Sequence, residues 1–126
     1  MRVFLADDSE LIVERLTALV SDMDGVSMIG SASDGEAAIA EITRLCPQMV
    51  ILDLQMEKGT GIDVLKAIRD LVPKPVVIVL TNYAYPPFRA ACLAHGASYF
   101  LNKSTQFHEV EEIIRNHQAQ QGSHTA

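Results

Sequence analysis

The chain has 126 residues, room for one domain and not two, and its 48% hydrophobic and 21% charged fractions are those of a folded globular protein. Sixteen acidic against ten basic residues leave a net charge of -6, which argues against a chain built to grip nucleic acid or anionic lipid. No apolar run approaches the roughly 18 residues of a membrane span, and Asp7 and Asp8 interrupt the N-terminal apolar run before a secretory core can form, so a cytoplasmic chain with no membrane partner is expected.

Residues 3–6 open the chain as a short, continuous apolar run, the signature of a parallel strand covered on both faces. Ser9 has the chemistry of a helix N-cap, and Ile12, Leu16, Leu19, Val20 and Met23 recur behind it at spacings of three and four. Residues 26–32 form a weaker strand carrying Ser27, Gly30 and Ser31, which places it at a sheet edge. Asp34 caps a second helix with Ala38, Ile42 and Leu45 on its apolar face, and Pro47 stops it. Residues 49–52 are a third strand, followed by a helical stripe of Leu65, Ile68 and Leu71. Residues 76–80 are a fourth strand; the helix after it is opened by Pro86-Pro87, carries Phe88, Ala91, Cys92 and His95, and closes at Gly96. Residues 99–101 are the last strand, and a fifth helix capped by Thr105 carries Phe107, Val110, Ile114 and His117. From Gln118 the core pattern ends, so the domain is expected over 1–117, with 118–126 a polar tail or the start of a linker. Cys46 and Cys92 form no spaced framework and read as reduced, partly buried thiols. The (βα)5 alternation implies an α/β fold: a doubly wound parallel sheet of five strands with right-handed crossovers and helices on both faces.

In open α/β sheets, ligands bind outside the carboxyl ends of the strands. The first strand runs into Asp7-Asp8, the third into Asp53, the fourth into Thr81 and the fifth into Asn102-Lys103. Taken singly, each reads as a cap, a turn hydroxyl or a solvated charge. Together they put three carboxylates on one edge, where mutual repulsion raises their pKa values unless a cation compensates. An oxygen-only ligand set suits Mg2+, which takes one or two carboxylates, several waters and a phosphate oxygen. Lys103 and Thr81 add an ammonium and a hydroxyl for the remaining phosphate oxygens, and a carboxylate beside a metal can itself be the nucleophile.

The order and spacing of these residues resemble the response-regulator receiver domain of two-component signalling, over residues 2 to about 117. The likeness rests on Asp7-Asp8, Asp53 within Asp53-Leu54-Gln55-Met56 with Gly61 following, Thr81 after residues 76–80, Gly96-Ala97, and Lys103 after Phe100. It implies a flavodoxin-like sandwich with strand order 2-1-3-4-5. It implies Asp53 as the phosphoacceptor in a phosphorelay, and Mg2+ ligated by Asp8, Asp53 and the main-chain carbonyl of Gln55, with Asp7 acting largely through water. Lys103 would pair with Asp53 and then with its phosphoryl group, Thr81 would swing onto a phosphoryl oxygen, and Phe100 would be the aromatic switch. The implied partners are a sensor histidine kinase or phosphotransfer protein and a downstream effector or C-terminal output domain, with a phosphorylation-dependent homodimer left open. The chain would be a self-modifying switch, not a dedicated enzyme.

Glu57 and Ser104 stand where family members usually carry proline, while Gln55 and Tyr83 occupy positions that in the family tune phosphate lifetime. Without proline at 104, the Lys103–Ser104 bond is expected to be trans, since cis costs about 2.5–4 kcal/mol there. An aspartate-nucleophile phosphatase of the haloacid dehalogenase type would use similar residues but wants a second acid where Gln55 stands. A flavin-binding module leaves the acidic pair unexplained.

Overall fold

β-Branched and leucine-rich runs become five strands: β1 Arg2–Ala6, β2 Ser27–Ala32, β3 Met49–Leu52, β4 Val76–Thr81 and β5 Tyr99–Asn102. The amphipathic segments between them become α1 Glu10–Ser21, α2 Gly35–Leu45, α3 Gly61–Ile68, α4 Pro86–Ala94 and α5 Glu109–His124. The computed structural model describes residues 1–124, so Thr125 and Ala126 of the expected tail lie outside the described residues.

All neighbouring strands pair parallel, in the order β2-β1-β3-β4-β5, with the serine- and glycine-bearing β2 at an edge. Because strand side chains alternate in direction, the sheet supports two cores. Val3, Leu5, Met49, Ile51, Ile78 and Leu80 pack with Ile12 and Leu16 of α1 and Ile114 of α5. Phe4, Val50, Leu52, Val77 and Val79 pack with Ile42 of α2, Leu65 and Ile68 of α3 and Cys92 of α4. Full burial of each such side chain contributes roughly 1.5–3 kcal/mol, which explains why residues 3–6, 49–52 and 76–80 of the central strands are entirely apolar.

Several helix ends follow from the sequence. Ser9 accepts the Ile12 N–H and Asp34 the Ala37 N–H, capping α1 and α2. The carbonyls of Leu45 and Cys46, at the end of α2, both accept from the Arg2 guanidinium. Other ends differ from the periodicity. Helix α3 stops at Ile68, leaving Leu71 in the turn beyond it, where its N–H reaches the Ile68 carbonyl. Thr105 does not cap α5, which starts only at Glu109, because the backbone at 102–106 closes a separate turn. Helix α5 also runs past His117 to His124, and the Gln118 side chain donates to the Asp24 carbonyl. Cys46 is exposed rather than partly buried, whereas burial pushes the Cys92 thiol up to about 11. On α4, Phe88 is more than one-third exposed and only Cys92 is fully buried, so its apolar stripe is far narrower than the pattern suggested. The cis peptide among the described residues is Val72–Pro73; Lys103–Ser104 is trans.

Candidate functional site

The chain leaves β1 for the edge strand β2 and returns across the sheet to β3, so strand order reverses between β1 and β3. The register there sets Ala6 against Leu52, which brings the next residues, Asp7 and Asp53, abreast at the carboxyl edge. The ladder continues one step further, the Asp53 N–H donating to the Ala6 carbonyl at 2.9 Å and the Asp7 N–H to the Ala32 carbonyl at 3.0 Å. On the other side, Thr81 pairs with Asn102, and the Lys103 N–H donates to the Thr81 carbonyl at 2.9 Å. Four strand ends therefore meet at one rim because their registers align.

Lys103 Nζ lies between the two buried acids, 2.8 Å from Asp7 Oδ2 and 3.1 Å from Asp53 Oδ2. The resemblance paired Lys103 with Asp53; the structure adds Asp7, at the shorter distance. Asp7 also accepts the Ser9 N–H through Oδ1 at 2.8 Å. Asp8, next along the chain, is exposed. Carboxylate oxygens of Asp7, Asp8 and Asp53 lie within 4.8 Å of one another. When all are ionised, three negative charges face one ammonium. That oxygen-only donor set fits a hard divalent cation such as Mg2+.

The charges act on each other. Burial pushes the Asp53 carboxyl above its ordinary value, Asp7 adds to the rise, and the Lys103 ammonium opposes it. Burial alone would lower Lys103, but its hydrogen bonds and ion pairs with Asp7 and Asp53 outweigh that and hold it above its ordinary value. Each group thus stabilises the charge on the other.

Gln55 is exposed, and its main-chain N–H faces Asp53 Oδ1 at 3.4 Å. It lines, with Asp8, Asp53, Asn82, Tyr83 and Lys103, the open cleft above the strand ends. Thr81 is fully buried, and its Oγ1 accepts the Tyr83 N–H at 3.0 Å. Phe100 is buried among the side chains between the sheet and the α2–α4 layer. Asp7, Asp8, Asp53, Gln55, Thr81 and Lys103 therefore sit at the strand-end rim, whereas Phe100, paired with Val79, lies within β5 in the core. What sequence reasoning passed over is the bracket beneath Lys103. Asn102 Oδ1 accepts the N–H groups of Ser104 at 2.8 Å and Thr105 at 3.2 Å. An Asn just before a turn is the signal that was available.

Comparison with known proteins agrees with this geometry. Residues 3–115 match the family model of the response regulator receiver domain. The chain is 31% identical over 115 residues to Response regulator GacA of Pseudomonas protegens, covering 91% of this chain and 54% of that protein. It thus spans about half the length of the curated relatives it matches. The signal receiver domain of the response regulator NarL from Mycobacterium tuberculosis superposes with a TM-score of 0.83 at 28% identity, over 91% of this chain and 93% of that one. The Borrelia burgdorferi CheX–CheY–BeF3–Mg complex contains a chain that superposes with a TM-score of 0.79 at 26% identity, over 90% and 89%. With a family match along nearly its whole length and the acids, threonine and lysine gathered at the strand ends, the chain is a receiver domain of the two-component response regulators, with a phosphoacceptor role in signalling.

Proposed function

We propose that Asp53 is the phosphoacceptor, taking a phosphoryl group from a phosphohistidine on a sensor kinase or phosphotransfer protein. An Asp53 carboxylate oxygen attacks phosphorus; the O–P bond forms as the P–N bond breaks, and the electron pair stays on the departing imidazole nitrogen. The observation that carries the reading is Lys103 Nζ held at 3.1 Å from Asp53 Oδ2 in a buried acidic rim that opens onto the cleft.

Asp8, Asp53 and the Gln55 carbonyl would hold Mg2+, with Asp7 near it; the bound ion would offset charge between the anionic nucleophile and the phosphoryl group. Lys103 neutralises Asp53 before transfer and binds a phosphoryl oxygen after it. Thr81 gives up the Tyr83 N–H and donates its hydroxyl to another phosphoryl oxygen, and Phe100 follows into the space vacated. The surface so altered addresses an effector or an output domain, in keeping with a relative of which this chain covers 54%. A phosphorylation-dependent homodimer is one form that output can take. The chain acts as a switch that catalyses its own phosphorylation and dephosphorylation, not as a dedicated enzyme, and works in the cytoplasm.

Incubation with acetyl phosphate and Mg2+ followed by mapping of the label tests this. A single label on Asp53 that disappears in Asp53→Asn is the expected result; a label that persists in Asp53→Asn overturns the assignment.

A further inference from the structure

Lys103 must hold its ammonium between two carboxylates from a position just past the end of β5, and the residue after it is Ser104 in a trans peptide. The turn beneath it is closed by bonds that nearly all involve Asn102. The Asn102 side-chain oxygen takes the Ser104 and Thr105 N–H groups at 2.8 and 3.2 Å. The Asn102 N–H donates to Gln106 Oε1 at 2.9 Å, and its carbonyl accepts the Gln106 N–H at 2.9 Å. On the sheet side the Lys103 N–H is held by the Thr81 carbonyl at 2.9 Å. The backbone of Lys103 is thus fixed from both sides. The shorter of the two Asn102 side-chain bonds needs an N–H at residue 104, which a proline there could not give.

We propose that Asn102 is a positioning residue for phosphoryl transfer: by holding the backbone N–H groups of Ser104 and Thr105, its side-chain oxygen fixes the turn from which Lys103 reaches between Asp7 and Asp53. The inference rests on Asp53 as the phosphoacceptor. Asn102 does not touch the reacting atoms. Its effect passes through the placement of Lys103 Nζ, and displacement of a positioned group by about 1 Å can cost up to about 100-fold in rate.

The test compares wild type, N102A, N102D and S98A. Asp keeps an oxygen that accepts the same two N–H groups. Ser98 accepts the Val77 N–H at the opposite end of β5, so S98A controls for a general loss of strand stability. Acetyl phosphate labelling of Asp53 is measured alongside the 15N resonance of Lys103 Nζ without phosphodonor. N102A should slow labelling by about tenfold and shift or broaden the Nζ resonance. N102D should recover most of both, and S98A should change neither. A wild-type label on Asp53 with N102A unchanged in rate and resonance overturns the role of Asn102 alone, as does failure of N102D to recover either. Absence of label on wild-type Asp53 overturns the phosphoacceptor reading and this proposal with it.

Discussion

Lys103 is the residue on which the electrostatics of the rim turns. With its side chain only 8% exposed, it sits against Asp7 and Asp53, whose side chains are 2% and 5% exposed. Removing one member of such a buried set leaves charge that water cannot solvate, and this typically costs about 3–5 kcal/mol. Lys103→Met is therefore expected to lose about 3 kcal/mol of stability near pH 8. The loss has a definite pH dependence. The Asp53 carboxyl lies above its ordinary value even with Lys103 present, and removing the ammonium raises it further. A carboxyl whose folded pKa is raised favours the folded state when protonated, so that contribution is present at low pH and is lost as pH rises through the folded value. Urea denaturation of Lys103→Met and wild type at pH 8 and pH 5 should thus show a smaller difference at pH 5. A difference that grows on acidification would contradict the charge balance described for the rim.

At the scale of elements, the loop from β3 to α3 is held close by glycine. Gly61 opens α3, and a Cβ there would fall against the Asp53 carbonyl and 2.8 Å from the Leu54 Cα, all backbone that no side-chain rotation can relieve. The helix is otherwise well started. Thr60 accepts the Asp63 N–H, and the Asp63 carboxylate accepts the Thr60 N–H, a reciprocal cap that fixes where α3 begins. Since the cap resists movement of the helix, Gly61→Ala is expected to strain the Asp53 segment as well as α3. A loss of about 1–3 kcal/mol in chemical denaturation is expected, in the range for overpacking, together with slower labelling of Asp53. Wild-type stability in this variant would mean that α3 can slide away from the loop without cost. The α5 start belongs to the same scale. Periodicity places Phe107 on a helical face, but Asn102 and Gln106 exchange bonds in a turn of their own, and the helix waits until Glu109.

Across the whole molecule, three carboxylates on one sheet edge with a single lysine between them are a store of repulsion that folding must overcome. A divalent cation that binds the folded cluster and not the unfolded chain adds RT ln(1 + [L]/Kd), about 1.4 kcal/mol at ten times its dissociation constant. For a domain of this size that is worth several degrees in Tm. Melting with millimolar Mg2+ at fixed ionic strength should therefore raise Tm in wild type, with the response largely gone in Asp8→Ala. The same substitution relieves repulsion, so the metal-free variant is expected to melt at or above wild type. An Asp8→Ala protein that responds to Mg2+ as wild type does would exclude the cluster as the binding site.

The alternation of apolar runs and helical stripes carried the fold, because a strand covered on both faces and a helix covered on one leave different periods in the sequence. The site residues were legible for a related reason. A polar side chain at or just past the end of a buried strand must be held by partners at the sheet edge, so Asp7, Asp53, Thr81 and Lys103 stood out against the apolar runs before them. Only tertiary structure decided which atoms meet. That Lys103 bridges Asp7 as well as Asp53 depends on the β1–β3 and β4–β5 registers acting together, and no local pattern encodes a pair 96 residues apart along the chain. That Leu71 lies beyond α3, and that Asn102 turns its side chain onto the next turn instead of outward, are outcomes of competition between local hydrogen bonds and helix propagation. Such competitions are settled by small differences in backbone bonding, to which the periodicity of apolar residues is blind.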